Sequence, residues 1–102
     1  MIERYELQQR LEDVLGSREV YYQPPESVKM KYPAIVYERS RIDNSHANNK
    51  VYKQNFGYTV TVIDKDPDSP IVREISKWTY ARFDRHFVND NLNHDVFTIY
   101  QL

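Results

Sequence analysis

A chain of 102 residues, 40% hydrophobic and 14% aromatic, supports one modest core and one domain spanning residues 1–102, and its composition is not that of a disordered tail. With 14 basic residues against 15 acidic ones the net charge is −1, so no global charge draws the chain to nucleic acid or to a membrane surface. The absence of cysteine excludes disulfides and thiolate metal sites, and two glycines are too few for a phosphate-cradling loop, which sets nucleotide-binding enzymes aside.

No apolar run approaches the length of a membrane span, so no membrane partner is expected. The charged N-terminus MIERYELQQRLE does not read as a secretory signal, and the protein is expected to act where it is made. Nine tyrosines dominate the aromatic content. Tyrosine buries area but keeps a hydroxyl that needs a partner, so it suits half-exposed sheet faces and subunit contacts.

Leu7, Leu11, Val14 and Leu15 recur at helical spacing between Glu, Gln and Arg, which predicts an amphipathic helix from Glu3 to Leu15 with Gly16 as its C-terminal cap. Val20-Tyr21-Tyr22 is a short β-prone run that Pro24 and Pro25 interrupt. Pro33 opens a strand through Ala34-Ile35-Val36-Tyr37 that runs on with falling hydrophobicity to Ile42. The polar stretch from Asp43 to Lys50 reads as a long, mobile hairpin tip. The returning strand, Val51 to Asp64, places Phe56, Tyr58, Val60 and Val62 on one face, with Gly57 marking a bulge or close packing.

Asp64 to Pro70 ends that strand and starts a second helix, capped by Asp68 or Ser69 and running to Ala81, with Ile71, Ile75 and Trp78 on its apolar stripe. Phe83–Val88 and Val96–Tyr100 are the last two strands, separated by Asn89–Asn93. The order α-β-β-β-α-β-β predicts an α+β fold, a mostly antiparallel sheet with two helices packed on one face.

Three constellations bear on chemistry. The acidic run Asp64–Asp68 lacks the glycine and the distal glutamate of a calcium loop, and is read as a strand exit and helix cap. Asp84, His86, His94 and Asp95 would converge if the last strands pair, and such donors suit zinc, iron or acid–base work. Asn and Asp around His94 suit a turn equally well, so no metal, cofactor or catalytic residue is expected and the protein is not read as an enzyme. Arg39, Arg41, Lys50 and Lys53 cluster on the arms of the long hairpin, with Arg39 and Arg41 on one strand face and Tyr37 and Tyr52 nearby. Arg39, Arg41, Lys50, Lys53 and Tyr52, with Asn44, His46, Asn48 and Asn49, are the candidate contacts with a neighbouring subunit or a tube; a solvated hairpin face that discourages edge aggregation is the equal alternative, with nucleic acid a lesser one.

Four runs carry a resemblance: Lys31–Tyr37 (KYPAIVY), Tyr58–Ser69 (YTVTVIDKDPDS), Arg82–Phe87 (RFDRHF) and Asp90–Thr98 (DNLNHDVFT). In these the chain resembles the tail terminator, or tail completion, proteins of tailed bacteriophages, small virion proteins that join head to tail. The resemblance implies a tail-terminator-like domain that forms a hexameric ring, ends tail-tube polymerisation and meets the head-side connector. It implies a place in the virion neck after synthesis in the host cytoplasm, with a tail tube protein and a connector as partners and viral DNA close by. Another neck connector, or a neck module contacting nucleic acid, is the alternative. No catalytic residue comes with the family.

Overall fold

The computed structural model describes residues 4–47 and 50–101, with the backbone alone described for residues 41–47, 50–55 and 101. Its elements are α1 (Arg4–Leu15), β1 (Val20–Tyr22), β2 (Ala34–Ala47), β3 (Lys50–Asp64), α2 (Pro70–Ile75), β4 (Ala81–Asn89) and β5 (Leu92–Gln101). The strands form one sheet in the order β1-β2-β3-β5-β4. Every neighbouring pair is antiparallel except β1 and β2, which run parallel. This is the expected α+β order and a mostly antiparallel sheet. The parallel pair follows from the connection 23–33, since parallel neighbours need a crossover that returns the chain to the same end of the sheet.

Both helices lie on one sheet face. Leu7 and Leu11 of α1 and Ile71 and Ile75 of α2 are buried in one cluster with Ile35, Tyr37, Val60, Val62, Phe97 and Ile99 of the sheet. Alternation in β3 sends Tyr58, Val60 and Val62 to this face and Thr59, Thr61 and Ile63 to the other. At the end of α1 the Gly16 N–H bonds the Glu12 carbonyl at 2.8 Å with φ of 80°. That left-handed conformation is the one glycine adopts without cost, so the predicted cap is present.

Four local features differ from what the sequence predicts. Helix α2 ends at Ile75 rather than Ala81. The N–H groups of Lys77 and Trp78 bond the carbonyls of Glu74 and Ile75 three residues back, which tightens the chain into turns. Pairing with β5 takes over immediately: the Tyr100 N–H bonds the Tyr80 carbonyl at 3.0 Å and Ala81 lies opposite Ile99. Trp78 therefore packs against the core from a turn, not from a helical stripe. Second, Ser69 is the residue before α2, but its hydroxyl makes no cap bond and is buried without a partner among the described residues.

Third, Asp90 and Asn91 alone connect β4 to β5, both with positive φ (53° and 61°). Two consecutive left-handed residues match the twist of the flanking strands, and Asp and Asn tolerate that conformation, so both strands extend further into the predicted loop. Fourth, the stretch from Asp43 expected as a hairpin tip is paired strand as far as Ala47 opposite Lys50, and only Asn48 and Asn49 lie outside the described residues.

Candidate functional site

The feature that sets this molecule apart is an arm. Strand β1 accompanies β2 only to Tyr37, and β5 accompanies β3 only from Phe56. From Asp43 opposite Asn55 to Ala47 opposite Lys50, β2 and β3 pair with each other alone among the described residues. Five residues of β2, Asp43–Ala47, at about 3.4 Å each give an arm of roughly 14–17 Å. The molecular extents of 51 × 27 × 23 Å agree with one long axis.

Arg39, at the root of the arm, is exposed. Arg41 is paired at the same root, opposite Gly57, and Asn44, His46, Lys50 and Lys53 occupy paired backbone positions on the arm itself. Asn48 and Asn49 lie outside the described residues. Register shifts between Arg39 and Arg41 and between Ser45 and His46 break the alternation, the second leaving Tyr52 as the unpaired residue on β3. Arg39 stands opposite Tyr58 and Arg41 opposite Gly57, adjacent residues of β3 that belong to opposite faces. The extra residue Ser40, whose hydroxyl donates to the Gly57 carbonyl at 3.2 Å, thus separates two arginine positions expected on one face. Tyr37, which lies near these residues in sequence, is 0% exposed.

Tyr37 instead forms the centre of an aromatic cluster where α1 crosses the sheet. Its ring lies 4.9 Å from Tyr22 and 6.0 Å from Tyr58. Its hydroxyl donates to Gln8 Oε1 and accepts from Arg4 Nη1 at 3.2 Å. Arg4 also sits over the Tyr22 ring at 4.4 Å, a cation–π contact. Burial raises the pKa of Tyr37 and of Tyr58. The Tyr37 phenol thereby ties α1 to β2 close to where the arm departs.

The residues Asp84, His86, His94 and Asp95 are near in sequence register but do not converge. His94 and Asp95 are consecutive and fall on opposite faces of β5, and a third register shift, between Phe83 and Arg85, sets Asp84 apart. Asp84 accepts from the Thr98 hydroxyl at 2.6 Å and lies 3.7 Å from Arg82 Nε. His86 stands opposite Asp95, and its Nε2–H donates to Asn93 Oδ1 at 3.1 Å. Asn93 in turn donates to the carbonyls of Asp64 and Lys65, fastening the strand exit. His94 bonds the Leu92 carbonyl through Nδ1 and stacks on Phe87 at 4.6 Å. Burial raises the Asp95 carboxyl above its usual range, against the pull of His86 and His94. Among the described residues no three His, Cys, Asp or Glu side chains are placed to hold a metal ion.

Sequence reasoning missed the outer edge of β4. All of Arg82–Asn89 is exposed, including Phe83 (50%), Phe87 (40%) and Val88 (59%). The signal was present as three apolar residues spaced through a polar strand, but an interior strand would carry them too. Nothing in the local pattern says that β4 is an edge. Around the corner, Arg10, Lys77, Trp78 and Tyr80 rim a half-open cleft of about 340 Å³ floored by Leu7 and Ile99.

Compared with known protein families, with curated proteins and with solved structures, the chain matches none. Its functional reading therefore rests on geometry and on the resemblance of its sequence runs.

Proposed function

We propose that this chain is a structural virion protein of a tailed bacteriophage, a tail-terminator-like subunit that closes into a hexameric ring. The ring ends polymerisation of the tail tube and offers its other side to the head-side connector. The observation that carries the proposal is the arm: a small body extends two strands well beyond its own core. An isolated two-stranded ribbon is marginally stable in water, so such an arm is suited to ordering against a partner. A ring needs two different patches on each subunit, joined head to tail and closed by rotation. A projecting arm and an exposed sheet edge are two such patches.

Electron microscopy of particles from phage lacking this protein tests the role. Overlong tail tubes are the expected result. Headless tails of normal length would assign the protein to the connector instead, and normal joined virions would refute both. Replacing Asn44–Gln54 by a tight turn is expected to reproduce the overlong tubes with a folded subunit.

A further inference from the structure

We infer that the arm of one copy adds as an extra strand to the outer edge of β4 in the next copy, along Arg85–Asn89. The inference deepens the ring reading and depends on it, because it names the two halves of the junction.

The receiving half is a strand with a free side. β4 pairs with β5 and, among the described residues, with nothing else. Its backbone N–H and C=O groups on the outer side form a row that another strand can pair with. The bulge at Asp84 divides this edge, and beyond it Arg85 to Asn89 continues in unbroken register to the tight turn. Phe87 and Val88 are adjacent there, so alternation puts one on each side of the sheet, and both are exposed. An added strand would cover apolar surface on both sides as well as complete the ladder. Five residues is an ordinary strand length.

The donating half is equally free. Lys50–Asn55 pairs with β2 on one side and meets β5 only from Phe56 onward. Its six residues are enough to span the five of the receiving stretch. On the other side of the arm, β1 reaches only to Tyr37. Donor and receptor are different parts of the subunit: the arm projects from the middle strands, and β4 is the lateral edge. A junction between unlike patches leaves an unused arm at one end and an unused edge at the other, so it propagates until rotation closes it. Strand addition of this kind supplies main-chain hydrogen bonds for affinity, with alternate side chains setting specificity.

Two variants separate the halves. The edge variant combines Phe87→Lys and Val88→Lys, both at exposed positions. The arm variant replaces Asn44–Gln54 by an Asn-Gly turn between Asp43 and Asn55, which are already paired. Circular dichroism confirms that each folds, and native mass spectrometry reads assembly. The parent is expected to form a closed oligomer and each variant alone to stay monomeric. An equimolar mixture should give a heterodimer of one edge variant and one arm variant, with no larger species, because one intact arm and one intact edge remain. Assembly of the edge variant like the parent overturns the inference, as does a mixture without heterodimer. A monomeric edge variant beside a dimeric arm variant means that two β4 edges pair with each other, which also overturns it. A parent that is monomeric at every concentration refutes the junction, while tail length in the phage judges the ring role separately.

Discussion

Tyr37→Phe isolates the contribution of one buried hydroxyl to the seam between α1 and the sheet. The phenyl ring keeps the same volume, so apolar burial and the contacts at 4.9 Å and 6.0 Å with Tyr22 and Tyr58 survive. What is lost is the bond to Gln8 Oε1 and the bond from Arg4. A net hydrogen bond contributes about 1 kcal/mol, and a half-buried carbonyl left without its donor adds up to about 1 kcal/mol more. Gln8 still donates to the Val20 carbonyl at 3.2 Å and to Glu12 at 3.0 Å, which prevents it from turning freely to water. The expected destabilisation is therefore about 1–2 kcal/mol, where each kcal/mol lowers Tm by roughly 4–8 °C in a domain of this size. Tyr37→Ala, by contrast, empties a fully buried site and should cost about 3–5 kcal/mol, a large part of a typical domain's stability. Urea titration followed by fluorescence of Trp78, the single tryptophan, measures both, with an unchanged m-value expected for Tyr37→Phe. A double-mutant cycle with Gln8→Leu should show strong non-additivity. Additive costs, or a Tyr37→Phe variant as stable as the parent, would refute the hydroxyl's role.

Three further outcomes follow from the same geometry. Burial raises the Tyr37 and Tyr58 pKa values, so their contribution is complete below about pH 10 and is lost as pH climbs through the folded values; alkaline titration should show a stability loss that Tyr37→Phe reduces. Asp95 is likewise raised by burial, so its favourable contribution exists below about pH 4 and disappears as pH rises through the folded value. Asp95→Asn should accordingly stabilise the protein at pH 7, with the gain vanishing in acid, and equal gains at both pH values would contradict the assignment. Ser69→Ala should change stability by less than about 0.5 kcal/mol or increase it, because its buried hydroxyl has no partner among the described residues; a loss of about 1 kcal/mol or more in urea would mean that it caps α2 after all.

The positions of both helices, all five strands and the α+β class were legible in the sequence because each rests on a local rule. Leu7 and Leu11 share one helical face, Gly16 can take a left-handed cap, and Tyr58, Val60 and Val62 alternate. Pro70 sits at the first turn of α2 as its missing N–H requires. Boundaries were less legible. Whether Ser76–Ala81 continues a helix depends on a competing ladder from β5, which is remote in sequence. The polar stretch after Asp43 reads as a loop because it carries no apolar alternation, whereas the pairing that makes it a strand is between backbones.

The candidate site was legible in part. The sequence placed a basic hairpin, and its residues do lie on or at the root of one. It did not predict that single extra residues at Ser40 and Asp84 would reverse the alternation. A bulge moves the later positions to the other face, so the positions of Arg39 and Arg41 part company, and Asp84 bonds Thr98 while His86 bonds Asn93. By itself, the sequence determined which residues make helices and strands, that one core forms, and that no cysteine chemistry takes part. Only the tertiary structure decided that β2 and β3 outrun their neighbours and that β4 is left as a bare edge. Strand order and strand overhang are set by pairings between distant segments, and a local pattern of side chains carries no record of which edge remains unpaired.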